Sequence, residues 1–347
     1  MVVEGVATPR GVGARGQRKG DMTQATGKHR VDRPFVGVPT FLRSDLCLDL
    51  TRLDGDIAVI GVPTDEGSPF MPGSRFGPRA LREHSLRFSP DDGIYDLDRG
   101  RCYLARTEGK CRIVDVGDVD VLPTNVETTF ANITRDVACI LGNGAMPVVL
   151  GGDHSITFPI VRAYEGRGPL NILQFDAHMD YAPVAHGLSF TNGQAFRHIR
   201  RLPFVESMVQ VGIRSLRTTE ESVLASRADG NRVIGMAEFR RMGRDAFLRL
   251  LTKDARFYVS IDVDAFDMSL VPGCVSAEPD GFAYGELRET LTAIAERVDV
   301  VGFDFVEVNP QLDVGTGVTS YLGAQTIIAF LADICEQPRW AKRRAAR

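Results

Sequence analysis

The sequence predicts one α/β domain built on a mostly parallel sheet, and three observations carry that reading. Short apolar runs rich in Val, Ile and Phe alternate with amphipathic stretches from about residue 56 to residue 335, the pattern of repeated strand–helix units. No composition break or internal repeat interrupts the alternation. Several apolar runs end directly on Asp, His or Glu, and right-handed crossovers put the carboxyl ends of parallel strands on one edge, where such residues gather.

Taken in order, residues 1–33 carry seven Lys or Arg among Gly, Thr and Gln, too few apolar groups to fold alone, and are expected to form a flexible basic leader with Met22 as an alternative start. Order is expected over 34–337, as a single domain, followed by a basic tail at 338–347. Residues 56–63 predict a strand, and the loop 64–77 is punctuated by Gly67, Pro69, Pro72, Gly73 and Gly77, as in ligand-contacting loops of α/β proteins. Pro78 starts a helix. Strands follow at 111–117, 146–150, 171–175, 208–213, 233–234, 257–261 and 298–306. Helices are predicted at 126–142, 156–164, 196–202, 220–227, 244–251, 284–297 and 319–335, with 181–193 an irregular loop.

At 347 residues and 44% hydrophobic content the chain can bury a large core. A net charge of −4 gives no electrostatic reason to expect nucleic acid or an anionic membrane as partner, which leaves a small ligand. The six cysteines have no paired spacing, so a reducing, cytoplasmic setting is expected. No run approaches about 18 consecutive apolar residues.

Four predicted strands deliver His154, then Asp176, His178 and Asp180, then Asp262 and Asp264, then Glu307 to one crevice. Buried carboxylates must be paired, hydrogen-bonded or metal-bound. Two imidazoles and four aspartates over-supply one divalent ion and suit two, bridged by Asp176 and Asp262. Mixed His and carboxylate ligation without thiolate favours Mn²⁺, with Ni²⁺, Co²⁺ or Fe²⁺ as alternatives over structural Zn²⁺. Such a pair lowers the pKa of a shared water toward about 7, which points to hydrolysis. Glu307 would repel a phosphate ester but complements a planar guanidinium. Singly, each motif has a blander reading: GGDHS as a structural turn, Asp-Val-Asp as a surface loop, Glu307 as a loop end.

The stretches GGDHS at 151–155, DAHMD at 176–180, SIDVD at 260–264 and EVNP at 307–310 resemble the signatures of the ureohydrolase family, the arginases and agmatinases. GVPTDEG at 61–67, PGSRFGPRALR at 72–82, DVGDV at 115–119 and VGIRS at 211–215 extend the resemblance over about 34–335, and the PFVGVPT and PGCVSAEPDG segments look agmatinase-like. The resemblance implies a three-layer α/β/α fold, assembly as homo-trimers or hexamers, and a dimanganese centre that hydrolyses a guanidino compound to urea plus an amine. It implies one ion on His154 and Asp180, the other on His178 and Asp264, Glu307 gripping the substrate, and Asp180 passing a proton to the leaving nitrogen.

Two departures from the family pattern bear on substrate. Where the family carries a His-Gly proton shuttle this chain has Asn192-Gly193, with His186-Gly187 earlier in the same loop as the alternative source of an imidazole; asparagine can hydrogen-bond but cannot titrate near neutrality. Tyr181-Ala182-Pro183-Val184 follows DAHMD, a substrate-binding stretch too apolar to satisfy the α-carboxylate of L-arginine. Cys274-Val275-Ser276-Ala277 replaces a Thr/Gly/Pro-rich run, and Met268 a common proline. Small or alkylated guanidines and biguanides therefore stand level with agmatine and guanidino acids. Two competing readings are an impaired or supporting subunit beside a paralogous ureohydrolase, motivated by Asn192, and metal-dependent deacylation.

Overall fold

The computed structural model describes residues 33–88, 93–104 and 111–340; the predicted leader up to residue 32 and the tail from 341 lie outside the described residues. Strands run over Asp45–Leu46 (β1), Ile57–Val62 (β2), Ile94–Asp96 (β3), Arg101–Tyr103 (β4), Ile113–Asp118 (β5), Met146–Gly151 (β6), Leu170–Phe175 (β7), Val205–Ile213 (β8), Arg232–Gly235 (β9), Arg256–Asp262 (β10) and Asp299–Val306 (β11). Helices occupy Gly77–Ser85 (α1), Val126–Gly142 (α2), Thr157–Arg162 (α3), Ala195–Arg200 (α4), Glu220–Ala228 (α5), Met236–Met242 (α6), Arg244–Leu248 (α7), Tyr284–Arg297 (α8) and Val318–Cys335 (α9).

Nine strands form one sheet in the order β1-β5-β2-β6-β11-β10-β7-β8-β9, every neighbouring pair parallel. Its two faces follow from the two-residue period of a strand. Along β2, Ile57 and Val59 join the core beneath α1, α6, α7, α8 and α9, while Ala58, Ile60 and Val62 join the core beneath α2, α3 and α4. Leu173 and Phe175 of β7 face the first of these cores, Leu170 and Ile172 the second. The result is the three-layer α/β/α arrangement.

The clearest helices have chemical ends. Asn125 caps α2 by accepting from Thr128 N at 3.0 Å, and Gly144, at φ +73°, takes the chain out of it. The run predicted as a helix over 156–164 begins instead with a 3₁₀ turn, His154–Ile156, capped by Asp153. The β3–β4 hairpin, β1 and α6 carried no prediction; each is only two to seven residues long, too short to show a period. The 18 residues of α9 have a mean hydropathy of 1.4, and thirteen of them are buried, as for a helix packed against α1 and α8.

A buried ion pair ties α1 to the sheet. Arg82 donates from Nε and Nη2 to the two oxygens of Asp115 on β5 at 2.8 and 3.0 Å, and from Nη1 to Asp118 at 2.6 Å. Asp115 also accepts from Phe41 N and Gly117 N. Arg82→Ala strands a buried carboxylate, so a loss of about 3–5 kcal/mol in unfolding free energy is expected by urea denaturation. Asp118→Asn, at a side chain 46% exposed, should cost under about 1 kcal/mol; equal costs for the two would refute this account of α1.

Candidate metal centre

Four strands adjacent in the sheet, β6, β11, β10 and β7, carry the predicted site residues just past their carboxyl ends. After β6 the chain turns through Gly152 at φ +28°, where a Cβ would lie 2.5 Å from the carbonyl oxygens of Val62 and Thr64; only glycine fits. Asp153 then accepts from Ser155 N at 3.0 Å and Gly67 N at 2.7 Å, which fixes the turn that buries His154 completely. Asp180 and Glu307 hold positive φ, +45° and +65°, a strained conformation for residues with side chains, and one that clusters at functional sites.

The six residues converge. Nδ1 of His154 lies 3.0 Å from Asp176 Oδ2, 3.0 Å from Asp180 Oδ2 and 3.1 Å from Asp262 Oδ2. It is buried, and hydrogen-bonded to none of them. Nδ1 of His178 lies 2.9 Å from Asp264 Oδ2 and 3.4 Å from Asp176 Oδ1. Two ligand clusters result, His154/Asp176/Asp262 and Asp176/His178/Asp264, each with its donor atoms within 4.8 Å of one another and sharing Asp176. A ring nitrogen ringed by carboxylate oxygens yet bonded to none suits a lone pair directed at a cation, so the donor set fits a pair of divalent metal ions.

A polar row across the sheet supports these groups. Gln210, Gln174, Ser260 and Asp304 are register partners on β8, β7, β10 and β11. His154 Nε2 is 2.8 Å from Ser260 Oγ, which donates its single proton to Asp304 Oδ1 at 2.6 Å. Ser260 therefore accepts from Nε2–H, and the Nδ1 lone pair is left for a cation. Asp304 is held in turn by Tyr258 and Thr157, each at 2.9 Å. Gln174 donates to Asp176 Oδ2 at 2.7 Å and accepts from Gln210 at 2.6 Å.

Burial and mutual repulsion strain this acidic cluster. Burial, with Asp264 and Asp176 beside it, pushes Asp262 well above the usual carboxylate range, and burial with Asp176 raises Asp180 to about 6. Burial and Asp153 raise Glu307 to about 8. For Asp176 the burial cost is outweighed by the two imidazoles, and its pKa falls. Both histidines, despite burial, are driven up by the surrounding aspartates. The pocket is built to hold positive charge.

A cavity of about 260 Å³ opens onto this cluster, lined among others by Asp180, Asp262, Asp264, Asn192 and Glu307. Glu307 Oε1 accepts from His154 N at 2.9 Å and Asn192 Nδ2 at 3.1 Å, so Asn192 belongs to the Glu307 end. His186 does not: it is exposed, at φ +53° in a turn closed by the Ala185–Leu188 bridge, and it does not line the cavity. The turn carries its imidazole outward. Tyr181 borders the cavity but is fully buried, its ring in the core and its hydroxyl donating to Asp229 at 2.5 Å. Met268 is half exposed and outside the cavity lining.

Sequence reasoning missed several neighbours. Cys274, in a stretch already singled out from sequence, presents its sulfur within 4.8 Å of ligand atoms of Asp262 and Asp264, a proximity that spacing did not show. Ser260 and Asp304 carried a signal, as polar residues within otherwise apolar strands. Arg217 and Glu278, which flank His178, lie in loops and carried none.

The model of the Arginase family matches residues 55–332. The chain is 32% identical over 302 residues to proclavaminate amidinohydrolase of Streptomyces clavuligerus, covering 84% of this chain and 91% of that one. It is 31% identical over 318 residues to guanidinobutyrase of Pseudomonas aeruginosa, 90% and 96% covered, and 32% identical over 313 residues to the mitochondrial agmatinase of Gallus gallus, 87% and 86% covered. The solved structure of the Streptomyces clavuligerus amidinohydrolase superposes with a TM-score of 0.76 at 29% identity, covering 87% of this chain and 99% of that one.

Equilibrium loading with Mn²⁺ followed by elemental analysis should find about two ions per chain, as expected for a paired carboxylate-bridged centre. Ser260→Ala removes the acceptor that orients His154 and should weaken metal affinity by about 10–100-fold. Wild-type affinity in that variant would show that the polar row does not tune the ligand.

Proposed function

The chain belongs to the arginase family, and on that premise we propose that it is a binuclear-metal amidinohydrolase that releases urea and an amine from a guanidino compound. The observation that carries the reading is the pair of ligand clusters sharing Asp176 beside the buried Glu307 carboxylate. His154, Asp180 and the bridging Asp176 and Asp262 would hold one ion, His178 and Asp264 with the same bridges the other. Mn²⁺ suits the oxygen-rich set best, and a nearby Cys274 leaves Ni²⁺ or Co²⁺ as reasonable occupants. Bound there, the ions would supply Lewis acidity and lower the pKa of a shared water toward about 7.

The remaining steps fall to the chain. Both hydrogen bonds to Glu307 end on Oε1, so Oε2 is the oxygen that faces the cavity and takes guanidinium N–H groups by charge-assisted bonds. Asn192 fixes the Glu307 rotamer from the side. In the reaction the water oxygen adds to the guanidino carbon, the bond from that carbon to the alkyl-bearing nitrogen breaks, and that nitrogen leaves with a proton. Asp180, held at φ +45° against His154 Nδ1, is the carboxylate placed to carry that proton. Two cations and a guanidinium-gripping glutamate fit release of urea better than single-metal deacylation.

Protein loaded with two Mn²⁺ or Ni²⁺ per chain should release urea from at least one member of a panel of agmatine, guanidino acids, arginine and alkylguanidines. Glu307→Gln should lower kcat/KM by about 10²–10³-fold with metal content unchanged. Absence of urea across the panel, with both ions bound, would sink the proposal.

A further inference from the structure

The end of the cavity away from Glu307 is basic and hydroxyl-rich. Arg217, Thr218 and Thr219, from the loop between β8 and α5, line it together with Ser222. Among the described residues lining the cavity, Arg217 is the only Arg or Lys. Its position follows from its contacts: Glu307 is bonded to the backbone of His154, Arg217 Nη2 lies 2.7 Å from His178 Nε2, and the two histidines flank the shared Asp176. Glu307 and Arg217 thus adjoin different parts of the cluster, Glu307 at His154 and Arg217 at His178. Resting on the function proposed above, we infer that the Arg217–Thr219 loop is an anion subsite that takes the carboxylate of an ω-guanidino acid.

Three independent features point to an anion. The first is Arg217 itself, a cation on the cavity wall with a side chain 61% exposed, whose Nη2 also donates to Ser276 O at 3.3 Å. Nε and Nη2 of Arg217 and the hydroxyl of Ser215 all donate to one oxygen, Glu278 Oε1, at 3.3, 3.1 and 2.6 Å, more donors than that oxygen serves well.

The second feature is Thr218, part-buried on the same wall, whose Oγ1 has no hydrogen-bond partner, a state that polar atoms avoid. The third is α5, nine residues long, whose N-cap Thr219 lies on the cavity wall and accepts from Ser222 N at 3.2 Å, so the positive end of the helix dipole is brought there. Of the acidic residues in that turn, Glu221 is engaged with Arg197 at 2.6 Å and Glu220 is exposed. A carboxylate would meet a guanidinium, a hydroxyl and a helix N-terminus. The ammonium of agmatine would meet like charge, and an uncharged alkyl end would leave Thr218 unsatisfied.

The test compares 4-guanidinobutyrate, agmatine and n-butylguanidine, one guanidino group with a negative, positive or neutral far end, on the metal-loaded full chain. Urea release should favour the acid over agmatine by about 100-fold or more in kcat/KM. Arg217→Ala should lower the acid-to-butylguanidine ratio by about 10–100-fold, mostly through KM, Arg217→Lys should retain most of it, and Arg217→Glu should shift preference toward agmatine. Preference for agmatine or butylguanidine in the wild type, or equal losses on all three substrates in Arg217→Ala, would overturn the subsite while leaving urea release intact. Should none of the three release urea with two ions bound, the proposed activity fails instead. Calorimetric binding of 4-guanidinobutyrate to wild type and Arg217→Ala then decides the subsite separately: weaker binding by the variant supports it and equal binding overturns it.

Discussion

Four aspartates, a glutamate and two histidines crowded into one crevice, five of them buried, are the constraint to which the rest of this structure answers. Such a cluster is unfavourable on its own terms, since each carboxylate loses hydration and faces like charge. It is tolerated because most of these groups are fixed by backbone or by a second polar residue. Asp264 accepts from Ala177 N at 2.9 Å, Asp262 from Asp264 N at 2.8 Å, and Asp176 from His178 N at 2.5 Å. Neighbouring ligands therefore brace each other through their own backbone, so the cluster cannot spread apart to relieve its charge. Positive charge brought in from outside is the remaining relief.

The parallel sheet makes that crowding geometrically available. Adjacent strands lie about 4.8 Å apart, so β6, β11, β10 and β7 bring their carboxyl ends within about 15 Å of each other. The same register that aligns those ends also aligns Gln210, Gln174, Ser260 and Asp304 one layer below. Loops then lock the upper edge. Arg214 donates to the carbonyls of Asp264, Phe266 and Glu278, and Asn309 ties the chain after Glu307 to Pro72 O at 3.1 Å and, through its backbone, to Gly273 O at 2.8 Å. The EVNP stretch thus joins Glu307, which faces the cavity, to Asn309, which holds the frame, and Arg214 of VGIRS holds the frame alone.

Local pattern carried the elements; it did not carry their arrangement. Helices α2 and α8 match their predicted limits, because an amphipathic period closed by turn residues is written in consecutive positions. The adjacency of β6 to β11 and of β10 to β7 is not, since it arises from crossovers more than a hundred residues apart in the first case. The residues that the structure gathers at strand ends were visible as polar interruptions of apolar runs. His186 shows the limit of such reasoning. In sequence it stands six residues from Asn192 and offers the better titrating group, yet backbone closure of the 185–188 turn sends it outward, and nothing in composition encodes that direction. Arg217 was illegible for the opposite reason: it reads as an ordinary loop cation until β8 and β7 are seen side by side.

The two imidazoles at the centre are held in unlike ways, and this asymmetry links the centre to the cavity wall. His154 has its Nε2 tied into Ser260 and Asp304, deep between strands, with no exposed atoms to speak of. The Nε2 of His178 lies instead 2.7 Å from a surface arginine and 3.6 Å from Glu278, on loops that also line or border the cavity. A change in the first surroundings must disturb the sheet core. A change in the second requires only rotation of exposed side chains. In the proposed subsite, side chains that would face the substrate's far end also touch His178, so substrate recognition and the orientation of that imidazole would be set together, while the His154 half of the cluster stays fixed by the fold.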